Sequence, residues 1–260
     1  MRTVCWFSCG AASAVATKIA MSEAKDVVIA YTEVKEEHPD NKRFLKDCEE
    51  WFGQEILILG NDYYDRSIYK TFEKSAMNIR GAAPCTRVLK KVVRERFERP
   101  DDRQVFGYTA EEQARLDRFI DANNDINIWT PLIDKGLGKE DCLAMLQNAG
   151  IELPMMYKMG YHNNNCIGCV KGGMGYWNKI KVDFPEQFDR MAKLERFKKQ
   201  TIFKDRYLDE LQPEDGNYPA EPKIECSIFC QIAEEDLTAS PSTSSCLTTL
   251  TFPILTPGAK

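Results

Sequence analysis

Histidine is nearly missing from this chain of 260 residues: His38 and His162 are its only two. Neither has ligand-spaced company, which leaves no histidine pair to hold a metal, and both read as surface residues. No run of about 18 apolar residues occurs, which excludes a membrane-spanning helix. The opening residues, MRTVCWFSCG, lack the longer apolar stretch and small-residue cleavage site of a secretory signal, so a cytoplasmic protein is expected. Basic charge is not in excess either. Lys and Arg number 35 against 40 Asp and Glu, for a net charge of −5. That balance argues against a broadly basic nucleic-acid coat and leaves room only for a local basic groove. Internal repeats are absent, and so is the Gly-Lys-Ser/Thr ending of a Walker phosphate loop.

What the chain does have is cysteine, ten of them. With no secretory signal, that many thiols points to metal, cluster or redox chemistry rather than a disulfide framework. The remaining composition, 43% apolar and 29% charged, is that of a globular protein able to bury one sizeable core.

Short β-rich runs alternate with helical periodicity along the first 150 residues. Val4–Phe7, Val27–Tyr31, Ile56–Leu59, Val105–Tyr108 and Ile126–Pro131 read as strands. Ala14–Ala20, Lys42–Phe52, Thr86–Phe97, Ala110–Ala122 and Gly138–Gly150 read as helices, with Thr109 and Glu112 forming a capping box before the fourth. This alternation predicts an α/β fold, a doubly wound and mostly parallel sheet covered by helices on both faces. Beyond Gly150 the pattern predicts an irregular, Cys-rich region containing one further helix, Phe184–Phe197. Residues 1–237 are expected to form the domain, and the Ser/Thr/Pro-rich residues 238–260 a disordered tail.

Two local features carry chemistry. Ser8-Cys9-Gly10-Ala11-Ala12-Ser13 lies between the first strand and the first helix, where free backbone N–H groups and the helix dipole favour an anion. Gly10 allows close approach, Ser8 and Ser13 offer hydroxyls, and Cys9 lies inside the loop; the competing reading is a tight turn of small residues. The second feature is Cys166-x-x-Cys169, flanked by Gly168, Gly172, Gly173 and Gly175. Soft thiolates select zinc, copper(I) or iron–sulfur clusters, and one pair supplies half of a four-ligand site. Nearby in sequence, Arg87, Lys90, Lys91 and Arg94 share one face if their segment is α-helical, a face able to grip phosphate, sulfate or a nucleic-acid backbone. Cys5, Cys48, Cys142 and Cys246 read as bystanders.

The Ser-x-Gly-x-x-Ser loop after an N-terminal strand resembles the pyrophosphate loop of the adenine-nucleotide alpha-hydrolase (PP-loop, Rossmann-like) superfamily. Within it the chain is similar to the phosphoadenosine phosphosulfate (PAPS) reductase family and its phage and bacterial iron–sulfur branch. Cys9 and Ala12 replace a Gly and an Asp of the ATP-cleaving members, as suits the reductases. Supporting blocks follow in order: Tyr31-Thr32-Glu33, Gly107…Glu112…Arg115, Pro131-Leu132, and Leu153-Pro154…Tyr157…Gly160-Tyr161…Cys166-Ile167-Gly168-Cys169. The resemblance implies adenine near Thr32 and Glu33, phosphate at Ser8–Ser13, contributions from Glu112 and Arg115, and an anion held by Arg87 and Lys90. It also implies that Cys85, in Pro84-Cys85-Thr86-Arg87, joins Cys166 and Cys169 as a ligand of a 4Fe-4S cluster, with zinc the alternative. Glu225-Cys226 matches the start of the family's Glu-Cys-Gly-Leu/Ile-His block, whose Cys is the nucleophile. Ser227 and Phe229 depart from that block. Cys226 is therefore expected as the catalytic thiolate and Cys230 as the fourth ligand, the exchange of these roles being the other assignment.

The function expected from this resemblance is that of an oxidoreductase of sulfur metabolism, a sulfonucleotide reductase acting on APS or PAPS with thioredoxin or glutathione as reductant. Two alternatives stand beside it: an iron–sulfur-dependent thiolase that uses ATP to adenylate and sulfurate tRNA or DNA, and a non-catalytic nucleotide-binding regulator with a structural metal. The partners these readings admit are an adenine nucleotide, the reductant, nucleic acid and a second copy of the chain, with no membrane.

Overall fold

The computed structural model describes residues 1–77 and 83–218, together with Gln231, Ala233, Glu234 and Leu237. The chain opens with β1 (Thr3–Phe7), α1 (Ala11–Glu23), β2 (Val27–Thr32), α2 (Asn41–Phe52) and β3 (Leu57–Leu59). It returns through α3 (Ile68–Lys74) and a π-helical turn, Thr86–Lys91, that runs into α4 (Val92–Phe97). Next come β4 (Arg103–Val105), α5 (Gln113–Asp121), β5 (Asn127–Trp129), α6 (Pro131–Asp134) and α7 (Lys139–Asn148).

The five strands form one parallel sheet in the order β3-β2-β1-β4-β5. The α/β, doubly wound expectation holds. β1 is central, pairing Cys5 with Ile29 on one side and with Val105 on the other. Its near-continuous burial explains why it reads as an apolar run instead of an alternating one. β3 lies at the edge, with Leu57 and Ile58 exposed. α1 is Ala-rich, which lets it press closely on the sheet and on α6 and α7. α2 is amphipathic, burying Phe44, Cys48 and Phe52 at four-residue spacing, and stops at Gly53 in the left-handed region (φ 68°). After β1 the chain builds β2 and β3 on one side, then crosses back to place β4 and β5 on the other. The order therefore reverses between β1 and β4, which opens a crevice at the carboxyl ends of those strands.

The structure corrects the view of residues beyond 150 as irregular. They carry α8 (Met155–Lys158), α9 (Met174–Asp183) and α10 (Pro185–Lys198). With α3 and Leu89 these helices enclose a second apolar core around Phe72, Met77, Tyr161 and Trp177. Glu195 ties this region together, its two carboxylate oxygens accepting hydrogen bonds from Ile202 N (2.5 Å) and Leu208 N (2.7 Å). β4 is also shifted from expectation, because pairing of Thr3 with Arg103 starts it earlier and Phe106–Tyr108 leave the sheet. No helix among the described residues is long and apolar enough to cross a membrane. The predicted tail, 238–260, lies outside the described residues.

Candidate functional site

At the crevice between β1 and β4 lies a cleft of about 880 Å³. The Ser8–Ser13 loop forms its centre. Ser13 holds the loop closed: its Oγ accepts from Ser8 N (3.0 Å) and Ser8 Oγ (3.0 Å) and donates to Gly10 O (2.9 Å). Ala14 N makes the first helical bond, to Gly10 O, so the amides of Ala11, Ala12 and Ser13 precede it at the positive end of a 13-residue helix. One of them, Ala11 N, donates to Tyr157 Oη (3.3 Å). Burial pushes that phenol up to about 12, so it stays neutral. Cys9 takes a left-handed conformation (φ 54°), unusual outside glycine, and turns its buried thiol to within 3.9 Å of Asn41 O. Burial, with Glu37 and Cys48 nearby, holds that thiol well above the ordinary cysteine range. Cys9 thus shapes the loop from the core side.

Two further segments brace the loop. Asn164 donates from Nδ2 to Cys9 O (2.5 Å) and to Asn41 Oδ1 (2.7 Å). On the other side, Gly107 lies against the first turn of α1, where a Cβ would come within 2.7 Å of Ser13 N and 2.8 Å of Ser13 Cα. Lys139, at the start of α7, donates to Asn163 Oδ1 (2.9 Å) and lines the cleft. Burial depresses its ammonium pKa, with Glu112, Cys142 and Glu111 opposing.

Of the residues singled out by sequence, Ser8, Gly10, Ser13, Thr32, Lys90, Glu112 and Arg115 line this cleft. Glu112 accepts from Thr109 N (3.2 Å) and pairs with Arg115. Glu33 is not among the lining residues; it pairs with Arg66 at 2.6 Å. Arg87 also faces elsewhere, lining a separate groove with Tyr63, Tyr64 and Arg96. The π-helical turn explains this separation: closing hydrogen bonds over five residues adds a residue to the turn and displaces Arg87 from the stripe of Lys90, Lys91 and Arg94. His162, expected at the surface, is half-buried and lines the cleft.

Lys90 connects the cleft to the thiols. Its ammonium lies 3.5 Å from Glu37 Oε1, and Glu37 also accepts from Tyr31 Oη (2.5 Å) and Asn41 Nδ2 (3.0 Å). Burial works against the Lys90 charge, but Glu37, Cys166, Cys169 and Cys85 together hold its pKa above the ordinary lysine value. Burial likewise raises the Cys166 thiol strongly, with Lys90 opposing and Glu37, Cys169 and Cys85 reinforcing. For Cys85, burial and Cys169 raise the pKa, while the Thr86 amide, Lys171 and Lys90 pull it down. The Cys166–Cys169 loop is fixed by Tyr176, whose Oη accepts from Gly168 N (3.1 Å) and Cys169 N (3.0 Å) and donates to Cys166 O (3.2 Å). Gly168 is left-handed (φ 75°) against Trp177, so a side chain there is disfavoured twice over.

Cys85, Cys166 and Cys169 are thus close enough to affect each other's ionisation, although no group of three or more His, Cys, Asp or Glu side chains among the described residues is arranged as a metal site. Their chemistry fits a soft metal or an iron–sulfur cluster: three sulfur donors, with a lysine whose charge favours thiolates. A fourth donor is needed, and Cys226 and Cys230 lie outside the described residues. Cys5, Cys48 and Cys142 are buried in the main core. Sequence periodicity did not single out Glu37, Asn164 or Phe119 for the site; only chain closure brings them to it. No family model matches this chain, and no curated protein matches it.

Proposed function

We propose that the chain is a sulfonucleotide reductase-like enzyme that binds an adenine nucleotide in the β1/β4 cleft and acts on its sulfur through a cysteine thiolate. The observation that carries this reading is the position of Lys90, which lines the anion-favouring cleft and is electrostatically tied to all three clustered thiols. A single cation thereby serves both a bound anion and thiolate chemistry.

In this reading the α1 amides and the Ser8–Ser13 loop hold the phosphate, and Lys90 neutralises the sulfate beside it. The thiolate of Cys226 attacks the sulfate sulfur. An S–S bond forms, the S–O bond to phosphate breaks, and the nucleoside phosphate leaves with the electron pair. A dithiol such as thioredoxin, or glutathione, then attacks Cys226 Sγ in the S-sulfonate, sulfite leaves, and the reductant ends as its disulfide. A 4Fe-4S cluster, or zinc, on Cys85, Cys166 and Cys169 with Cys230 as fourth ligand would supply a fixed charge beside the anion site.

Anaerobically purified protein supplied with APS or PAPS and thioredoxin should release sulfite, and Lys90→Ala should lose most of that activity. No sulfite from either substrate overturns the assignment. ATP-to-AMP turnover stimulated by nucleic acid would assign the cleft to a tRNA or DNA thiolase instead. Nucleotide binding without turnover would leave a regulatory module.

A further inference from the structure

The cleft has two unlike ends. Towards β2 lie Thr32 and Lys90, with the thiols behind them. Towards β4 lie the rings of Phe106, Tyr108 and Phe119, with Arg94 among them. The rings form one cluster, Phe106 against Phe119 at 5.0 Å and Tyr108 against Phe119 at 5.8 Å between centroids. All three are only half-buried, so apolar faces remain open to the cleft.

Arg94 is the second observation. It is only 7% exposed, and its guanidinium lies 5.8 Å from the Phe106 centroid and 5.5 Å from that of Phe119. Nη2 donates to Asn123 Oδ1 (3.1 Å), but Nε, 3.3 Å from Glu98 Oε2, makes no aligned hydrogen bond among the described residues. A buried, planar cation with an unused donor beside open aromatic faces is suited to a planar heterocycle carrying ring acceptors. One helical segment spans both ends. Cys85 stands at its start and Arg94 nine residues on, about 13 Å further along at the usual rise per residue. In a nucleotide, the base and the reacting group leave the phosphate in different directions. With the reacting group beside Lys90, the base points towards β4.

We infer that the Phe106–Tyr108–Phe119 end of the cleft, with Arg94, is the base-binding subsite, and that the nucleobase stacks there instead of beside Thr32 and Glu33. Glu33 is engaged by Arg66, and Arg66 in turn by Asp62 at 2.7 Å, away from the cleft. The inference rests on the nucleotide reading of the cleft and names the part of the ligand that this end selects.

Titration calorimetry of the full chain with AMP and with ribose 5-phosphate tests it, because the two ligands share the phosphate and differ in the base. In the unmodified protein AMP should bind at least about tenfold more tightly than ribose 5-phosphate, the usual worth of one stacked base. Phe119→Leu should remove most of that advantage and leave ribose 5-phosphate affinity within about twofold, while Glu33→Gln changes neither. Should Phe119→Leu fail to fold, as judged by its thermal transition, Arg94→Met is expected to show the same split. Equal affinities for the two ligands in the unmodified protein overturn the inference. So does a parallel loss of both in the variants, or a selective loss of AMP in Glu33→Gln. Because AMP carries no sulfate, a protein that binds it in this way yet releases no sulfite would refute the reductase chemistry and leave the base subsite standing.

Discussion

Replacing Gly107 by Ala gives a sharp test of how the cleft is built. The added methyl would meet Ser13 N at 2.7 Å, Ser13 Cα at 2.8 Å and Ala12 C at 2.9 Å. All three are backbone atoms, so no rotamer change relieves the overlap. Retreat of α1 is blocked as well, since Ala14, Val15, Ala16 and Ile19 behind its first turn are buried against the sheet, α6 and α7. Overpacking a filled core costs typically 1–3 kcal/mol, and an obstruction made of backbone belongs at the upper end, about 3 kcal/mol. For a domain of roughly this size, each kcal/mol lowers the melting temperature by about 2–4 °C, so the fall should be about 6–12 °C. The same overlap displaces the amides of Ala12 and Ser13, so AMP and ribose 5-phosphate should both bind more weakly. Thermal unfolding by circular dichroism and calorimetric titration read the two effects. Gly173→Ala is the control: nothing lies within 4 Å of its Cβ position. A Gly107→Ala protein that melts within about 2 °C of the parent and binds both ligands normally would refute the close-approach argument.

Three other perturbations probe separate parts of the molecule. Asp102, buried, accepts from Arg2 Nε (2.8 Å) and Nη2 (2.5 Å) and from Arg99 N (2.7 Å); burial alone would raise its pKa, but these bonds outweigh it and hold the carboxyl below the ordinary value of 3.8. Its contribution is therefore present above pH 3.8 and lost as the pH falls through the depressed value, so Asp102→Asn should cost about 3 kcal/mol in urea unfolding at pH 7 and progressively less below pH 4. Glu195→Ala strands the amides of Ile202 and Leu208 and should cost about 3 kcal/mol, with the loss appearing in hydrogen exchange of α10 and the 202–208 segment before the sheet. In anaerobic preparations, Cys85→Ser, Cys166→Ser and Cys169→Ser should each lose bound iron and sulfide, or zinc, whereas Cys48→Ser and Cys142→Ser keep them; metal analysis with a visible spectrum decides the point, and equal metal in all five proteins would remove the thiol assignment.

The parallel α/β architecture was legible because its signals are local. The apolar run of Thr3–Phe7, the four-residue spacing of Phe44, Cys48 and Phe52, and the Thr109–Glu112 cap each depend on residues a few positions apart. Helix α9 escaped notice because its buried residues, Gly175, Trp177 and Ile180, give a weak stripe after a glycine-rich stretch. The end of β4 was misplaced because strand limits depend on the partner's register, here Thr3 against Arg103, and not on β propensity alone.

The sequence by itself determined the fold class, the anion-favouring loop at the start of α1 and the grouping of Cys166 with Cys169, since each follows from backbone geometry or short spacing. Tertiary structure decided which side chains meet. It joins Tyr157 to Ala11 across 146 positions, brings Lys90 to Glu37 and into the field of the three thiols, and sends Arg87 and Glu33 away from the cleft that receives Lys90 and Thr32. Periodicity reports whether a residue is buried, but not what it is buried against. That second quantity is fixed only when the sheet order reverses at β1 and β4 and the helices close over it.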